Sequence, residues 1–184
     1  MDRRSLLKQT AAAGMFIGLP STIQFFISSC NSDKGPGRVN FLSEKQFEVL
    51  ERICDILIPE TSTPGAAQTR AAYFAELAVK DCVPAIVQEQ VKNSLTRMEE
   101  EQFLKKPSGE QQEIISKLDA DAFKENSGMD WYKAIKKLAC IGHFTSELTG
   151  KTALEYRAAW GTYQPCIDYK KGDKAMAKNF LLYY

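Results

Sequence analysis

Between residues 41 and 160, apolar side chains recur at intervals of three and four, which is the spacing of one face of an α-helix. Ser43 with Gln46 three positions later forms a capping box, which predicts the start of a first helix. Pro59, and then Pro64 with Gly65, predict its end. The apolar face of this helix consists of Phe47, Leu50, Cys54, Leu57 and Ile58.

Four further segments show the same helical spacing. A short second helix is predicted over 69–80, with Tyr73, Phe74 and Leu77 on its inner face. A third helix has Pro84 in its first turn and an apolar stripe of Ile86, Val87, Val91, Leu95 and Met98. A fourth is capped by Ser108 with Gln111 and carries Ile114, Ile115, Leu118, Ala122 and Phe123. A fifth is capped by Asp130, ends at Gly150, and carries Trp131, Ile135, Leu138 and Phe144.

The C-terminal part of the chain loses the regular helical spacing of apolar residues and becomes rich in aromatic residues. A short helical turn is expected near 152–156, followed by an irregular aromatic tail over 160–169. Trp160, Tyr163 and Tyr169 are of the residue types that anchor protein interfaces, although a tail folded over its own core is an equally good interpretation. Since no apolar run is long enough to pair as strands, we predict an all-α fold, a compact bundle of about five to six helices.

The N-terminal pattern is that of an export signal. Arg3 and Arg4, followed by Leu6 and Leu7, resemble the twin-arginine signal for export of folded proteins. The apolar stretch over 11–27 contains Gly, Pro and polar residues, which favours a signal over the alternative, a membrane-spanning anchor.

Residues 27–30, Ile-Ser-Ser-Cys, resemble a bacterial lipobox, in which Cys30 is acylated and becomes the new N-terminus. We therefore expect a lipoprotein signal over 1–29, a flexible leash over 30–40 and one helical domain over 41–184. These features predict a protein held by lipid on the periplasmic side of a bacterial envelope membrane.

Composition excludes several functions. With 24 Lys and Arg against 23 Asp and Glu, the net charge of +1 argues against a nucleic-acid partner. One His makes a zinc site or a Ser–His relay improbable, and no Gly-rich phosphate loop or Cys-x-x-Cys pair is present. The sequence thus offers no catalytic, cofactor-binding or metal-binding residues, and His143 is expected to be a packing or surface residue.

Export would place the cysteines where disulfides persist. Cys54 and Cys140 lie on apolar helical faces and are expected to be core residues. Cys82 and Cys166 lie beside prolines in predicted loops, which more easily reach disulfide geometry. Our hypothesis is a bond between Cys82 and Cys166.

Three segments together resemble the gluconate 2-dehydrogenase subunit 3 family. They are Ile-Pro-Glu-Thr-Ser-Thr-Pro-Gly-Ala at 58–66, Phe-Thr-Ser-Glu at 144–147, and the Gly-x-Tyr-x-x-Cys-x-x-Tyr tail over 161–169. Their order and spacing match the family over roughly 41–169, and a twin-arginine leader is common in it. His143, where an aromatic is expected, and Ser62, where Asp is common, depart from the family pattern.

This resemblance implies a small helical subunit that holds no flavin or haem itself. It would dock and escort an FAD-bearing dehydrogenase of the glucose–methanol–choline type that acts on sugars or sugar acids, often with a cytochrome c subunit beside it. The alternative is a stand-alone helical envelope lipoprotein that serves as a binding or scaffold module. An enzyme in its own right has little support, because no nucleophile or general base stands out.

Overall fold

The computed structural model of the chain describes residues 37–125, 127–156, 166, 168 and 170–176. These residues form α1 (Glu44–Leu57), α2 (Ala66–Thr69), α3 (Ala71–Cys82), α4 (Ala85–Glu100), a 3₁₀ turn (Phe103–Lys105), α5 (Ser108–Ala122), α6 (Asp130–Phe144) and α7 (Glu147–Thr152). Their only β feature is an isolated parallel bridge between Glu155 and Met176. The all-α prediction is confirmed. None of the described helices is long and apolar enough to cross a membrane.

The first helix is the one that the sequence describes best. Ser43 Oγ accepts the backbone N–H of Gln46, and the Gln46 side chain accepts the N–H of Ser43, so the predicted capping box is present. Phe47, Leu50 and Cys54 are buried, as the helical spacing requires. Their burial places α1 against the bundle through one apolar face.

The predicted second helix is two helices, α2 and α3, separated by Arg70. Arg70 has φ 56° and ψ 36°, in the left-handed region, and its N–H closes α2 by donating to the carbonyls of Ala66 and Ala67. A non-glycine residue pays about 1 kcal/mol for that conformation. Helical spacing continues across the break, which is why the pattern alone does not predict it.

Helix α3 packs most extensively on α6, and small residues make this contact close. The fully buried positions of α3 include Ala71, Ala75 and Val79, whereas the predicted inner face of Tyr73, Phe74 and Leu77 is only partly buried. Phe74 lies over Gly142 of α6, where an added Cβ would stand 2.8 Å from the ring. Small residues of α3 and the glycine of α6 that faces Phe74 thus allow the two helices to approach closely.

Two predicted caps are wrong because the side chains are used elsewhere. Pro107 and Met129 are the N-cap residues of α5 and α6, so Ser108 and Asp130 are first-turn residues without a side-chain cap bond. The Gln111 side chain is buried and donates to the carbonyls of Phe103 at 3.0 Å and of two neighbouring residues, Leu104 and Lys106.

Arg52 of α1 completes this contact. Its guanidinium donates to Gln111 Oε1 at 2.6 Å and to Ser108 Oγ at 2.9 Å. The two residues that were expected to cap α5 therefore connect its first turn to α1 and to the 3₁₀ turn. Pro84, expected inside the first turn of α4, is instead its N-cap residue.

Three predicted core residues are exposed. Ile86 is 69% exposed, Phe123 62% and Phe144 39%. Each lies at or next to a helix end, where the helix leaves the bundle. Helix α6 itself ends at Phe144 and not at Gly150, because Ser146 caps the separate helix α7, in which Gly150 lies.

The end of the expected leash is bound to the helical domain. Glu76 of α3 is fully buried, and its Oε1 accepts the N–H groups of Phe41 at 3.0 Å and Leu42 at 2.9 Å. Glu76 Oε2 lies 3.5 Å from Arg38 Nε, and the same guanidinium lies over the Phe47 ring. We call this arrangement the Glu76 clamp. It makes Arg38 part of the helical domain, which the sequence analysis placed from residue 41.

Candidate functional site

Most of the residues singled out in the sequence for export, lipidation and interface formation lie outside the described residues. They are Arg3, Arg4, Leu6, Leu7, Cys30, Trp160, Tyr163 and Tyr169. Their roles stay predictions.

The structure does not form the expected disulfide. Cys82 and Cys166 are both exposed and both free. Cys82 is the last residue of α3 and not part of a loop. Its thiol is accessible to solvent, but it is not bonded to Cys166. Cys54 is fully buried, which confirms it as a core residue, whereas Cys140 is only partly buried. Burial raises the pKa of the Cys54 thiol.

A buried contact joins α2 to the end of α6, next to two of the segments that carry the family resemblance. His143 is buried, and its Nδ1 lies 3.1 Å from Thr69 Oγ1. The Thr69 hydroxyl also lies 3.0 Å from the Gly65 carbonyl, to which it donates in the tautomer that carries the ring proton on Nδ1 of His143. Burial lowers the pKa of His143, which favours this neutral imidazole. The packing interpretation of His143 is confirmed.

The loop over 58–66 reaches this corner through a close backbone contact. A Cβ at Gly65 would lie 2.7 Å from the backbone nitrogen of Glu60, which leaves room only for glycine. Ala66 N–H donates to the Ile58 carbonyl at 2.9 Å and closes the loop. On the other side, Ser146 Oγ donates to the His143 carbonyl at 2.8 Å. Two of the resemblance segments, 58–66 and 144–147, thus flank the contact between α2 and the end of α6.

A small polar cleft opens between α1 and α2. Its volume is about 160 Å³, and its polar lining comprises Glu51, Asp55 and Arg70, with Tyr73 beneath the Arg70 guanidinium at 4.2 Å. Burial, and then the charge of Asp55, raise the pKa of Glu51; burial also raises the pKa of Asp55. The cleft lies below the roughly 300 Å³ at which pockets for larger organic ligands begin. It is therefore too small for a flavin.

The second opening is a larger apolar groove between the end of α5 and α6, which we call the α5–α6 groove. Its volume is about 440 Å³, and it is lined by Phe123, Lys133, Lys136, Lys137, Cys140, Ile141 and Phe144. Two exposed aromatic rings in one groove form a site where a partner can bury apolar surface.

Lysines are the charged residues that line the α5–α6 groove. Lys136 Nζ lies 2.5 Å from Asp119 and 4.9 Å from the centre of the Phe123 ring. Lys133 Nζ lies 3.9 Å from Asp130. The Lys133–Asp130 pair is exposed, so its contribution to stability is small and a partner's carboxylate can replace Asp130, whereas the Lys136–Asp119 pair is half-buried. Burial raises the pKa of Cys140, so its thiol is neutral within the groove.

Sequence reasoning missed this groove. Lys133, Lys136 and Lys137 recur at helical spacing and continue into Cys140, Ile141 and Phe144 on the same side of α6. That mixed stripe, with cations at one end and apolar residues at the other, is the available signal. Among the described residues no cluster of three or more His, Cys, Asp or Glu could hold a metal ion.

Comparison with protein families gives one match. The family model for gluconate 2-dehydrogenase subunit 3 matches residues 44–161. This span begins at the first residue of α1 and includes every helix described above. No curated protein and no solved structure was found to match the chain.

Proposed function

The chain belongs to the gluconate 2-dehydrogenase subunit 3 family, and we propose on that premise that it is the non-catalytic docking subunit of a dehydrogenase complex. Its partner would be an FAD-dependent large subunit of the glucose–methanol–choline type that oxidises a sugar or sugar acid. FAD, and haem c where a cytochrome c subunit is present, would be bound by the partners. Substrate selection would then belong to the large subunit.

The observation that supports a docking role is the α5–α6 groove. It offers about 440 Å³ of apolar volume beside two exposed phenylalanine rings, Phe123 and Phe144. Exposed aromatic residues next to a concave apolar surface are the usual anchors of a protein–protein contact.

The proposed role includes export of the partner. Arg3 and Arg4 would direct the folded chain, with a cofactor-loaded flavoprotein bound to it, through the twin-arginine route. Acylation of Cys30 would then hold the complex at the periplasmic side of a membrane. A signal for folded cargo suits a partner that must acquire FAD before export, and this support comes from the sequence.

The test is the location of the flavoprotein in cells that carry variants of this chain. With Arg3→Lys/Arg4→Lys, we expect the FAD-dependent large subunit to remain in the cytoplasmic fraction, with loss of membrane dehydrogenase activity. Lys8→Arg is the matched control, because it also exchanges one cation for another within the leader, and export should continue. Periplasmic flavoprotein at wild-type level in cells without this chain would refute the escort role. Absence of flavin absorbance from the purified chain and its bound proteins would favour the stand-alone lipoprotein.

A further inference from the structure

We propose that the α5–α6 groove binds an acidic amphipathic helix of the flavoprotein subunit. This inference rests on the proposed function and assigns the contact to one surface and one kind of partner segment. A helix that lays apolar side chains into a groove and keeps charged ones at its edge is a common form of peptide recognition. The α5–α6 groove has the two complementary properties that this form requires.

The first property is an apolar floor of suitable size. Cys140, Ile141 and Phe144 follow one another along α6, and Phe123 closes the groove from the end of α5. The volume of about 440 Å³ lies within the range of cavities that bury several large side chains. A row of leucine-like residues on one face of a helix would fill this space.

The second property is the sign of charge at the rim. Among the described residues, the charged ones that line the groove are Lys133, Lys136 and Lys137, and none of these described lining residues is a carboxylate. Asp130 forms an exposed pair with Lys133, and Asp119 forms a half-buried pair with Lys136; neither carboxylate is among the described residues that line the groove. Glutamate or aspartate at the edge of an incoming helix can take over the exposed pair at small cost. The rim therefore selects an acidic segment.

The same charges disfavour a second copy of this chain. A symmetric dimer places the same patch on both subunits, so it would bring three lysines opposite three lysines. Such like-charge contacts cost several kcal/mol at an interface. A membrane surface fits less well, because helices that bind membranes project their apolar residues into the lipid, whereas these residues line a concave groove.

Cys140 provides a direct readout, because its thiol lines the groove while Cys82 is exposed at the end of α3. In the complex of the full chain with the flavoprotein, we expect alkylation of Cys140 by N-ethylmaleimide to slow at least about tenfold, with Cys82 unchanged as the internal reference.

Two synthetic helices give a second readout of Cys140 protection. One has a leucine face and a glutamate face, and its twin has lysine in place of glutamate. The glutamate helix should protect Cys140, and the lysine helix should not.

Variants test each property against a matched control. Lys133→Glu/Lys137→Glu should weaken binding of the flavoprotein and of the glutamate helix, and should reverse the preference towards the lysine helix. This reversal also shows that the variant is folded. Lys80→Glu/Lys105→Glu, at exposed lysines outside the groove, makes the same change in charge and should bind as wild type does.

Phe123→Ser tests the apolar floor and should weaken binding about tenfold or more, whereas Ile86→Ser, at another exposed apolar residue, should not.

The outcomes separate this inference from the proposed function. If the flavoprotein co-purifies but Cys140 reacts equally fast in the complex, the groove assignment is overturned and the docking role stands. If no flavoprotein co-purifies, the proposed function is overturned, and the partner assignment with it. Protection of Cys140 by the chain alone at high concentration would overturn the inference in favour of a homodimer. Protection by vesicles of anionic phospholipid would overturn it in favour of a membrane contact.

Discussion

Glu76 is a fully buried carboxylate whose partners come from the chain segment that leads into α1. Its Oε1 accepts the N–H groups of Phe41 and Leu42, and its Oε2 faces Arg38 at 3.5 Å. A buried charge of this kind is costly without partners and stabilising only while they remain. The sequence gives no sign of this role, since Glu76 lies between apolar residues of α3 like any charged helix position.

Removal of this carboxylate is therefore expected to destabilise the fold. Glu76→Ala leaves the N–H groups of Phe41 and Leu42 without their acceptor and removes the carboxylate beside Arg38, and should lower the free energy of unfolding by about 3 kcal/mol. Urea denaturation measures the loss. Glu76→Gln is the control: its amide oxygen still accepts both N–H groups, so its loss should be clearly smaller. Equal stability of the two variants would show that the hydrogen bonds do not hold the segment.

Protonation of His143 makes the stability of the fold depend on pH, and comparison with a variant that lacks the imidazole isolates this dependence. Burial lowers the pKa of the folded imidazole below its ordinary value of 6.5, so below that pH the unfolded chain binds the proton more tightly. The stability that His143 contributes is present above pH 6.5 and is lost as the pH falls. We expect the melting temperature of the wild type to fall between about pH 7.5 and 5.5 relative to that of His143→Phe.

The comparison with His143→Phe is necessary because other groups titrate in the opposite direction. Glu51 and Asp55 have a raised pKa in the folded chain, so their contribution favours folding at low pH and is lost as the pH rises. They are unchanged in the variant. Thr69 keeps its hydrogen bond to the Gly65 carbonyl in the variant, so no buried hydroxyl is left unpaired. Parallel pH profiles of the two proteins would contradict the assignment.

At the scale of helices, the contact between α3 and α6 depends on the absence of a side chain at Gly142. A glycine inside a helix costs about 1 kcal/mol relative to alanine, so its presence needs a reason. Here an added Cβ would lie within 3.0 Å of three atoms of Phe74. The close approach of the two helices is that reason, and it brings the neighbouring His143 to Thr69.

Gly142→Ala should therefore destabilise the protein, by about 1–3 kcal/mol, although alanine is the better helix former. Gly150→Ala is the matched control. Gly150 also lies inside a helix, α7, but a Cβ there would meet nothing within 4 Å, so the substitution should leave stability unchanged or raise it by up to about 1 kcal/mol. Thermal unfolding of both variants measures the difference. A neutral Gly142→Ala would mean that Phe74 moves aside freely.

Helical spacing predicted where the helices lie better than where they begin and end. The start of α1 was predicted from its capping box, because both partners lie three residues apart in the sequence. The helix predicted from Ser108 is present, but its predicted cap is wrong, because Gln111 bonds to carbonyls of the 3₁₀ turn and to Arg52, 59 positions away. A side chain's choice between a local cap and a distant partner depends on packing that the local sequence does not contain.

At the scale of the whole molecule, the family and the all-α fold were predictable, whereas the candidate docking surface was not. The resemblance depends on local segments such as 58–66 and 144–147, which the sequence shows directly. The α5–α6 groove lies between the end of α5 and α6, so its existence depends on the relative position of two helices, which the local sequence does not show. Phe123 and Phe144 have the spacing of core residues, and only the assembled fold shows that both rings stay partly exposed.

The Glu76 clamp also determines how the domain bears mechanical load. A pull applied at Arg38 passes through Phe41 and Leu42 to Glu76, and so reaches α3, which is packed most extensively on α6, as well as the first turn of α1. Hydrogen bonds that share a force break together and resist more than bonds that open one after another. If the domain is tethered through this segment, a pulling force therefore acts on the most extensively packed helix pair, α3 and α6. The force does not act on α1 alone, so α1 is less easily unfolded from its N-terminal end.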